Sequence, residues 1–120
     1  ENEFDVVFCN HVLEHITDDT KAMQELYRVL KPGGFGIFQV PQELSRAKTF
    51  EDDSITNKKE RTKIFGQYDH VRVYGRDYFD KLKVIGFKVD KIEYTKKITA
   101  KQLHRYCLMP NEILPVCYKI

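Results

Sequence analysis

Between Phe4 and Pro41 the chain reads FDVVFCNHVLEH, then ITDDTKAMQELYRVLKPGG, then FGIFQVP, and this order of patterns leaves few folds open. Phe4 to Cys9 is nearly continuous in apolar, β-branched and aromatic residues, interrupted by Asp5. That composition predicts a strand covered on both faces in a parallel sheet. Ala22, Met23, Leu26, Tyr27 and Leu30 recur at three- and four-residue spacing, while Lys21, Gln24, Glu25 and Arg28 point elsewhere. The spacing predicts an amphipathic helix laid on that sheet. Thr17, Asp18 and Asp19 offer side-chain oxygens to the free amides of a first turn, and their charge suits the positive end of the helix dipole. Pro32 disfavours helical geometry at Lys31, and Gly33 and Gly34 tolerate positive φ, so the helix stops there. Phe35 to Val40 supplies the next strand, and strand, helix and strand make a right-handed parallel crossover by strong statistical preference.

After Pro41 the character changes. Gln42 to Gly66 holds few large apolar residues and two charge runs, EDD at 51–53 and KKER at 58–61. One short helix from about Asn57 to Phe65, anchored by Ile55, Ile64 and Phe65, is expected in an otherwise solvated excursion. Gly66 to Tyr74, GQYDHVRVY, is the densest polar and aromatic cluster in the chain. Val71 and Val73 alternate with His70, Arg72 and Tyr74 as in a short half-exposed strand. The same residues suit a pocket lining, with His70 as acid or base and Arg72 as an anion partner. Arg76 to Ile85 reads as a helix with Tyr78, Phe79, Leu82 and Ile85 on one face, ended by Gly86. Phe87 to Tyr94 reads as a strand whose apolar parity shifts between Val89 and Ile92, which predicts a bulge. Ala100 to Tyr106 is expected as a short helix and Ile113 to Ile120 as the last strand, paired regularly mainly after Pro115 because proline cannot donate to a ladder.

The run Phe4, Asp5, Val6, Val7, then Val12, Leu13, Glu14, His15, then Glu25, Leu26, Arg28, Val29, Leu30, Lys31, Pro32, Gly33, Gly34 resembles the C-terminal half of class I S-adenosylmethionine-dependent methyltransferases. The 66–74 cluster also resembles a "DHVR-x-YG" stretch found in a subset of them. The resemblance implies an α/β fold: a partial Rossmann-like sheet of strands 4, 5, 7 and 6 with strand 7 antiparallel. No G-x-G-x-G occurs in the chain, nor a counterpart of the acidic ribose-binding residue of that family's second strand. With 120 residues starting at Glu1, the chain is therefore expected to be half of a methyltransferase domain, cut from a longer protein and inactive by itself, with 42–66 a lid-like insertion over the substrate pocket. Two other classes fit the same layered pattern: a non-catalytic interaction or scaffold module, and half of a nicotinamide-dependent oxidoreductase.

Charge separates some classes. Lys and Arg number 20 against 18 Asp and Glu, mixed along the chain, with no basic tract of the kind that tracks nucleic-acid phosphates. No apolar run approaches the ~20 residues that span a bilayer, and no signal-peptide pattern opens the chain. Cys9, Cys107 and Cys117 form an odd set without a C-x-x-C pair, as in a cytoplasmic protein with reduced thiols. A small-molecule substrate is the expected partner, together with self-association, as a dimer, through the edge at residues 4–9.

In open α/β sheets ligands sit beyond the carboxyl ends of the strands, where Asn10 and His11 lie. By resemblance, Asn10, His11 and His15 pack against the cofactor, S-adenosylmethionine. His11 and His15 have the i, i+4 spacing of metal ligands if their turn is helical, but no third ligand is in view, and no metal is expected. Methyl transfer asks for alignment of an acceptor and for a base where the acceptor must lose a proton. Glu14 and His70 are the candidates for that base, and Gln39, Gln67, Arg72 and Tyr74 for acceptor binding.

Overall fold

The strand, helix and strand form as β1 (Phe4–Phe8), α1 (Asp19–Val29) and β2 (Leu30–Ile37) in the computed structural model, which describes residues 1–120. Asp18 caps α1, its carboxylate accepting from the Lys21 amide at 2.9 Å. β1 and β2 are parallel, as the crossover requires. The Lys31–Gly34 stretch, however, lies inside β2 and not ahead of it. The register slips between Phe4, opposite Leu30, and Val6, opposite Phe35, so the intervening residues fold out as an irregularity. Gly33 takes a φ of 84° there, and a Cβ on Gly34 would lie 2.8 Å from the Asp5 carbonyl oxygen.

The sheet runs β1, β2, β6 (Leu114–Tyr118), β5 (Lys88–Ile92), with β6 antiparallel to both neighbours. β1 is thus an edge strand. Val7 and Cys9 pack against the core, whereas alternation turns Phe4, Val6 and Phe8 to the other face, where they are exposed. The expectation of a strand covered on both faces is corrected accordingly: helices cover one face of β1 and a strand borders one of its edges. The predicted bulge in β5 is also absent. Its pairing with β6 runs unbroken from Lys88 opposite Tyr118 to Ile92 opposite Leu114, through Pro115 opposite Lys91. β5 is the other edge of the sheet and none of its residues is fully buried, so strict alternation is weakly enforced. Pairing of β6 with β2 begins at Val116, after Pro115.

α3 (Tyr78–Ile85) lies against α1, and Met23, Leu30, Phe38, Tyr78, Leu82 and Phe87 form the centre of the core. Full burial of such side chains contributes roughly 1.5–3 kcal/mol each. The Tyr78 hydroxyl is satisfied by donating to the Phe38 carbonyl, 2.5 Å. α2 (Lys58–Phe65) has Asn57 as its cap, accepting from the Lys59 and Glu60 amides, and ends at Gly66 with a φ of 97°. The first part of the 42–66 segment is not simply solvated. Its Phe50–Glu51 pair, β3, is antiparallel to β4 (Arg72–Val73), Gln42 bridges Tyr74, and the Asp77 carboxylate accepts from the Thr49 amide and hydroxyl at 2.8 and 2.6 Å. α4 (Ala100–Arg105) carries a capping box between Thr99 and Gln102. The three cysteines are unpaired, and burial in the core pushes the Cys117 thiol up to about 12. No helix is long and apolar enough to cross a membrane.

Candidate functional site

Beyond the carboxyl ends of β1 and β2 the backbone is held by reciprocal bonds. The Asn10 Oδ1 accepts from the Gln39 amide at 3.0 Å, and the His11 amide donates to the Gln39 carbonyl at 2.7 Å. His11 is turned out of the strand by a φ of 56°, an uncommon conformation outside glycine that clusters at functional positions. Its exposed imidazole stands at a cavity of about 380 Å³ lined also by Gln39, Leu44, Met109, Glu112 and Ile113. Gln39 Nε2 donates to the Glu112 carboxylate, and the Tyr94 hydroxyl donates to the same carboxylate at 2.5 Å. That bond pushes the Tyr94 phenol up to about 12, with burial adding to it. Gln39 Oε1 is buried without a hydrogen-bond partner.

The chain then makes a single 3-10 turn, Leu13–His15, which does not reach back to His11. The helical i, i+4 relation of His11 to His15 is therefore not formed. Arg72, on β4, holds this turn: its Nη1 donates to the carbonyls of Leu13, at 2.7 Å, and Ile16, and its Nη2 to that of Thr17 at 2.8 Å. Its Nε lies 3.7 Å from Asp19 and 3.5 Å from Glu51, and its side chain is 1% exposed. Tyr74 is fully buried and donates its hydroxyl to Asp19 Oδ2 at 2.7 Å, where Lys81 Nζ also donates at 2.7 Å. Burial opposes ionisation of Asp19, but the bonds from Lys81 and Tyr74 and the nearby Arg72 guanidinium outweigh it and hold the carboxyl below its ordinary value. Burial and the adjacent Asp19 carboxylate push the Tyr74 phenol far up.

The guanidinium fork of Arg72 and the phenol of Tyr74 are engaged in fixing residues 13–19, and of the two only Arg72 also lines a cavity, the smaller one described below. These contacts also invert the expected parity of the 70–74 segment. His70, Arg72 and Tyr74 are buried, while Val71 and Val73 are only partly so. Gln67 is exposed beyond α2 and lines neither cavity described here; its carbonyl accepts from the His70 amide at 3.3 Å.

A smaller cavity of about 210 Å³ adjoins the first, sharing Pro41 and Gln42, and is lined by Glu14, Glu43, Phe65 and His70. Glu14 is 2% exposed, with Oε1 3.8 Å from His11 Nδ1 and 3.7 Å from His15 Nε2, and with Oε2 lacking a hydrogen-bond partner. The His15 and His70 rings meet edge to face, their centroids 4.6 Å apart, and His15 Nδ1 lies 3.2 Å from Asp69 Oδ2. Thus the structure brings Glu14, His15 and His70 together, places His11 and Gln39 at the larger cavity with Asn10 bonded to the Gln39 amide beside it, and leaves Gln67 outside. Sequence reasoning missed Glu112, Tyr94 and Asp69. Asp69 sat within the polar cluster already singled out, whereas Glu112 meets Gln39 across 73 residues and carries no local signal.

Residues 1–38 match the family model described as a methyltransferase domain. An uncharacterised methyltransferase of Schizosaccharomyces pombe is 35% identical over 69 residues, which take in 55% of this chain and 25% of that protein. The ubiquinone/menaquinone biosynthesis C-methyltransferase of Hydrogenovibrio crunogenus is 50% identical over 34 residues, 28% of this chain and 13% of that protein. Among solved structures, an S-adenosylmethionine-dependent methyltransferase from Mesorhizobium loti superposes with a TM-score of 0.59 at 16% identity, over 98% of this chain and 62% of that one. The chain therefore spans about a quarter or less of the curated relatives it matches and under two thirds of this structural neighbour. Residues 1–38 are thus similar to a methyltransferase domain, and the chain as a whole shares the fold of an S-adenosylmethionine-dependent methyltransferase.

Proposed function

We propose that the chain serves methyl transfer from S-adenosylmethionine to a small-molecule acceptor at the carboxyl ends of β1 and β2. The observation that carries this reading is the 380 Å³ cavity there, which Gln39, whose Oε1 is buried and unpartnered, lines together with an apolar wall from Leu44, Met109 and Ile113. A buried acceptor atom without a partner is costly, and a donor group on a bound molecule satisfies it. Asn10, His11 and His15 are the residues of this chain that would lie against the cofactor. When bound, the cofactor supplies a methyl that is already electrophilic, so the chain's own contribution is placement. Gln39 orients the acceptor, and Glu14 or His70, at the adjoining cavity, takes a proton where the acceptor must lose one. Pro41, Gln42 and Leu44, at the start of the 42–66 insertion, wall the site.

The same reading assigns the chain to the half of the domain that contacts the acceptor and the methionine end of the cofactor. Its support is the lack of a G-x-G-x-G loop in the sequence and the partial coverage of the structural neighbour. Calorimetric titration with S-adenosylhomocysteine tests it. The natural full-length polypeptide should give stoichiometric heat that His11→Trp, at the cavity mouth, weakens, whereas the 120-residue chain should give none. Absence of heat from the longer polypeptide, or full binding by the short chain, would overturn the assignment.

A further inference from the structure

The cluster at Glu14 has a feature that a proton-accepting role does not explain. A carboxylate that is 2% exposed, with one oxygen unpartnered, sits among imidazoles and without any Lys or Arg ion pair. Burying a charged carboxylate without compensation costs several kcal/mol, a cost that a cation held among these donors offsets. Glu14, His15 and His70 each present one donor atom, and these atoms lie within 4.8 Å of one another. The Glu14 Oε1 to His15 Nε2 separation is 3.7 Å. Tetrahedral ligands with bonds of about 2.0–2.1 Å stand about 3.3 Å apart, so side-chain adjustments of roughly 1.5 Å or less close the three donors on one ion. His15 is also set up from behind. Its Nε2 faces Glu14 while its Nδ1 faces Asp69 Oδ2 at 3.2 Å, the carboxylate–histidine arrangement that orients a metal-bound imidazole.

We infer that Glu14, His15 and His70 form a binding site for a divalent first-row transition cation, zinc or an ion of similar ligand preference, with Asp69 orienting His15. Two imidazoles and one carboxylate are the donor set such ions favour over magnesium or calcium, and three protein ligands leave a coordination position open toward the adjoining cavity. The i, i+4 pair that the sequence suggested is replaced by a trio whose third member arrives from 55 residues downstream, beside the β4 strand that also carries Arg72. His11 is not one of the three: its side chain is exposed, although its Nδ1 is 3.8 Å from the Glu14 carboxylate. With the ion in place Glu14 and His70 are ligands, and the proton-accepting role proposed for them above belongs to the metal-free chain.

This inference is independent of the methyl donor, and its test does not involve activity. The chain is stripped with a chelator, then titrated with Co(II) and followed by visible absorption, with Zn(II) competition by calorimetry. One ion per chain and an absorption spectrum of imidazole and carboxylate ligation are expected. His15→Ala, at a partly exposed position, and His70→Ala should each abolish it. Asp69→Asn should weaken it about 10–100-fold. His104→Ala, an exposed histidine on α4, should change nothing. Far-UV circular dichroism establishes that each variant is folded, and added zinc should raise the melting temperature of the parent chain but not of His15→Ala. Failure of the parent chain to bind either ion at micromolar concentrations, or binding that survives both histidine substitutions in folded protein, would overturn the site.

Discussion

Truncating Arg72 offers a direct measure of what this arginine does. Its guanidinium donates to three carbonyls in the 13–17 turn and lies near Asp19 and Glu51, all with the side chain 1% exposed. A hydrogen bond to a charged group is worth about 1.5–3 kcal/mol, but three in one fork are not independent. The better guide is the loss of one member of a buried charged network, about 3–5 kcal/mol, because the orphaned carbonyls and the Asp19 carboxylate remain buried. Arg72→Ala should therefore lower the unfolding free energy by about 3–5 kcal/mol, a large share of the 5–15 typical of a domain. Arg72→Lys keeps the charge but not the planar fork, and should lose about half as much. Urea denaturation at pH 7, followed by far-UV circular dichroism, reads both values; if Arg72→Ala is too unstable to measure, the lysine variant carries the test. A loss below 1 kcal/mol for Arg72→Ala at an unchanged m-value would refute the reasoning and return the side chain to an acceptor-binding role.

Asp19 should give the chain an acid limb. Its folded carboxyl titrates below the unfolded one, so between the two values the unfolded chain binds the extra proton and stability rises with pH. That contribution is complete above the unfolded value near pH 4 and is lost as the pH falls through the folded value. Asp19→Asn should lower stability at pH 7 and flatten the dependence below about pH 4, as read from urea midpoints across pH; an unaltered acid limb would contradict it. At the other end of the fold, β1 pairs along one edge only and exposes Phe4, Val6 and Phe8. We expect the chain to self-associate through this edge, and Phe8→Lys to suppress it; a clean monomer of the parent chain in sedimentation velocity at high concentration would refute the expectation.

The elements set by local signals were legible. The Asp18 cap, the glycine stop at Gly86, and the periodicity of α1 and α3 each act within a few residues, and the helices form within two residues of the expected bounds. What failed depended on partners distant in sequence. The apolar run of β1 implies two covered faces only if a neighbour exists on each side, and the described chain supplies strands on one. The parity shift in β5 looked like a bulge because alternation is informative only where burial enforces it, and β5 is an edge. Within the site, Glu14, His15 and His70 were each visible as chemistry-bearing residues. Their meeting was not, because it depends on β4 being drawn against the 3-10 turn by Arg72.

That dependence explains the inverted pattern at 70–74. A two-residue strand has too few ladder bonds to hold its register by itself, and β3 and β4 share only Phe50 opposite Val73 and Glu51 opposite Arg72. The register is fixed instead by polar side chains turned inward: Arg72 onto the carbonyls of Leu13, Ile16 and Thr17, Tyr74 onto Asp19, and the Val71 amide onto the Glu14 carbonyl at 2.9 Å. With Arg72 and Tyr74 anchored on one face of the segment, the period of two delivers His70 to that same face, where it meets Glu14 and His15. Structural and chemical residues therefore share a face because one strand register places both, and a slip of one residue would expose Arg72 and disperse the donor trio together.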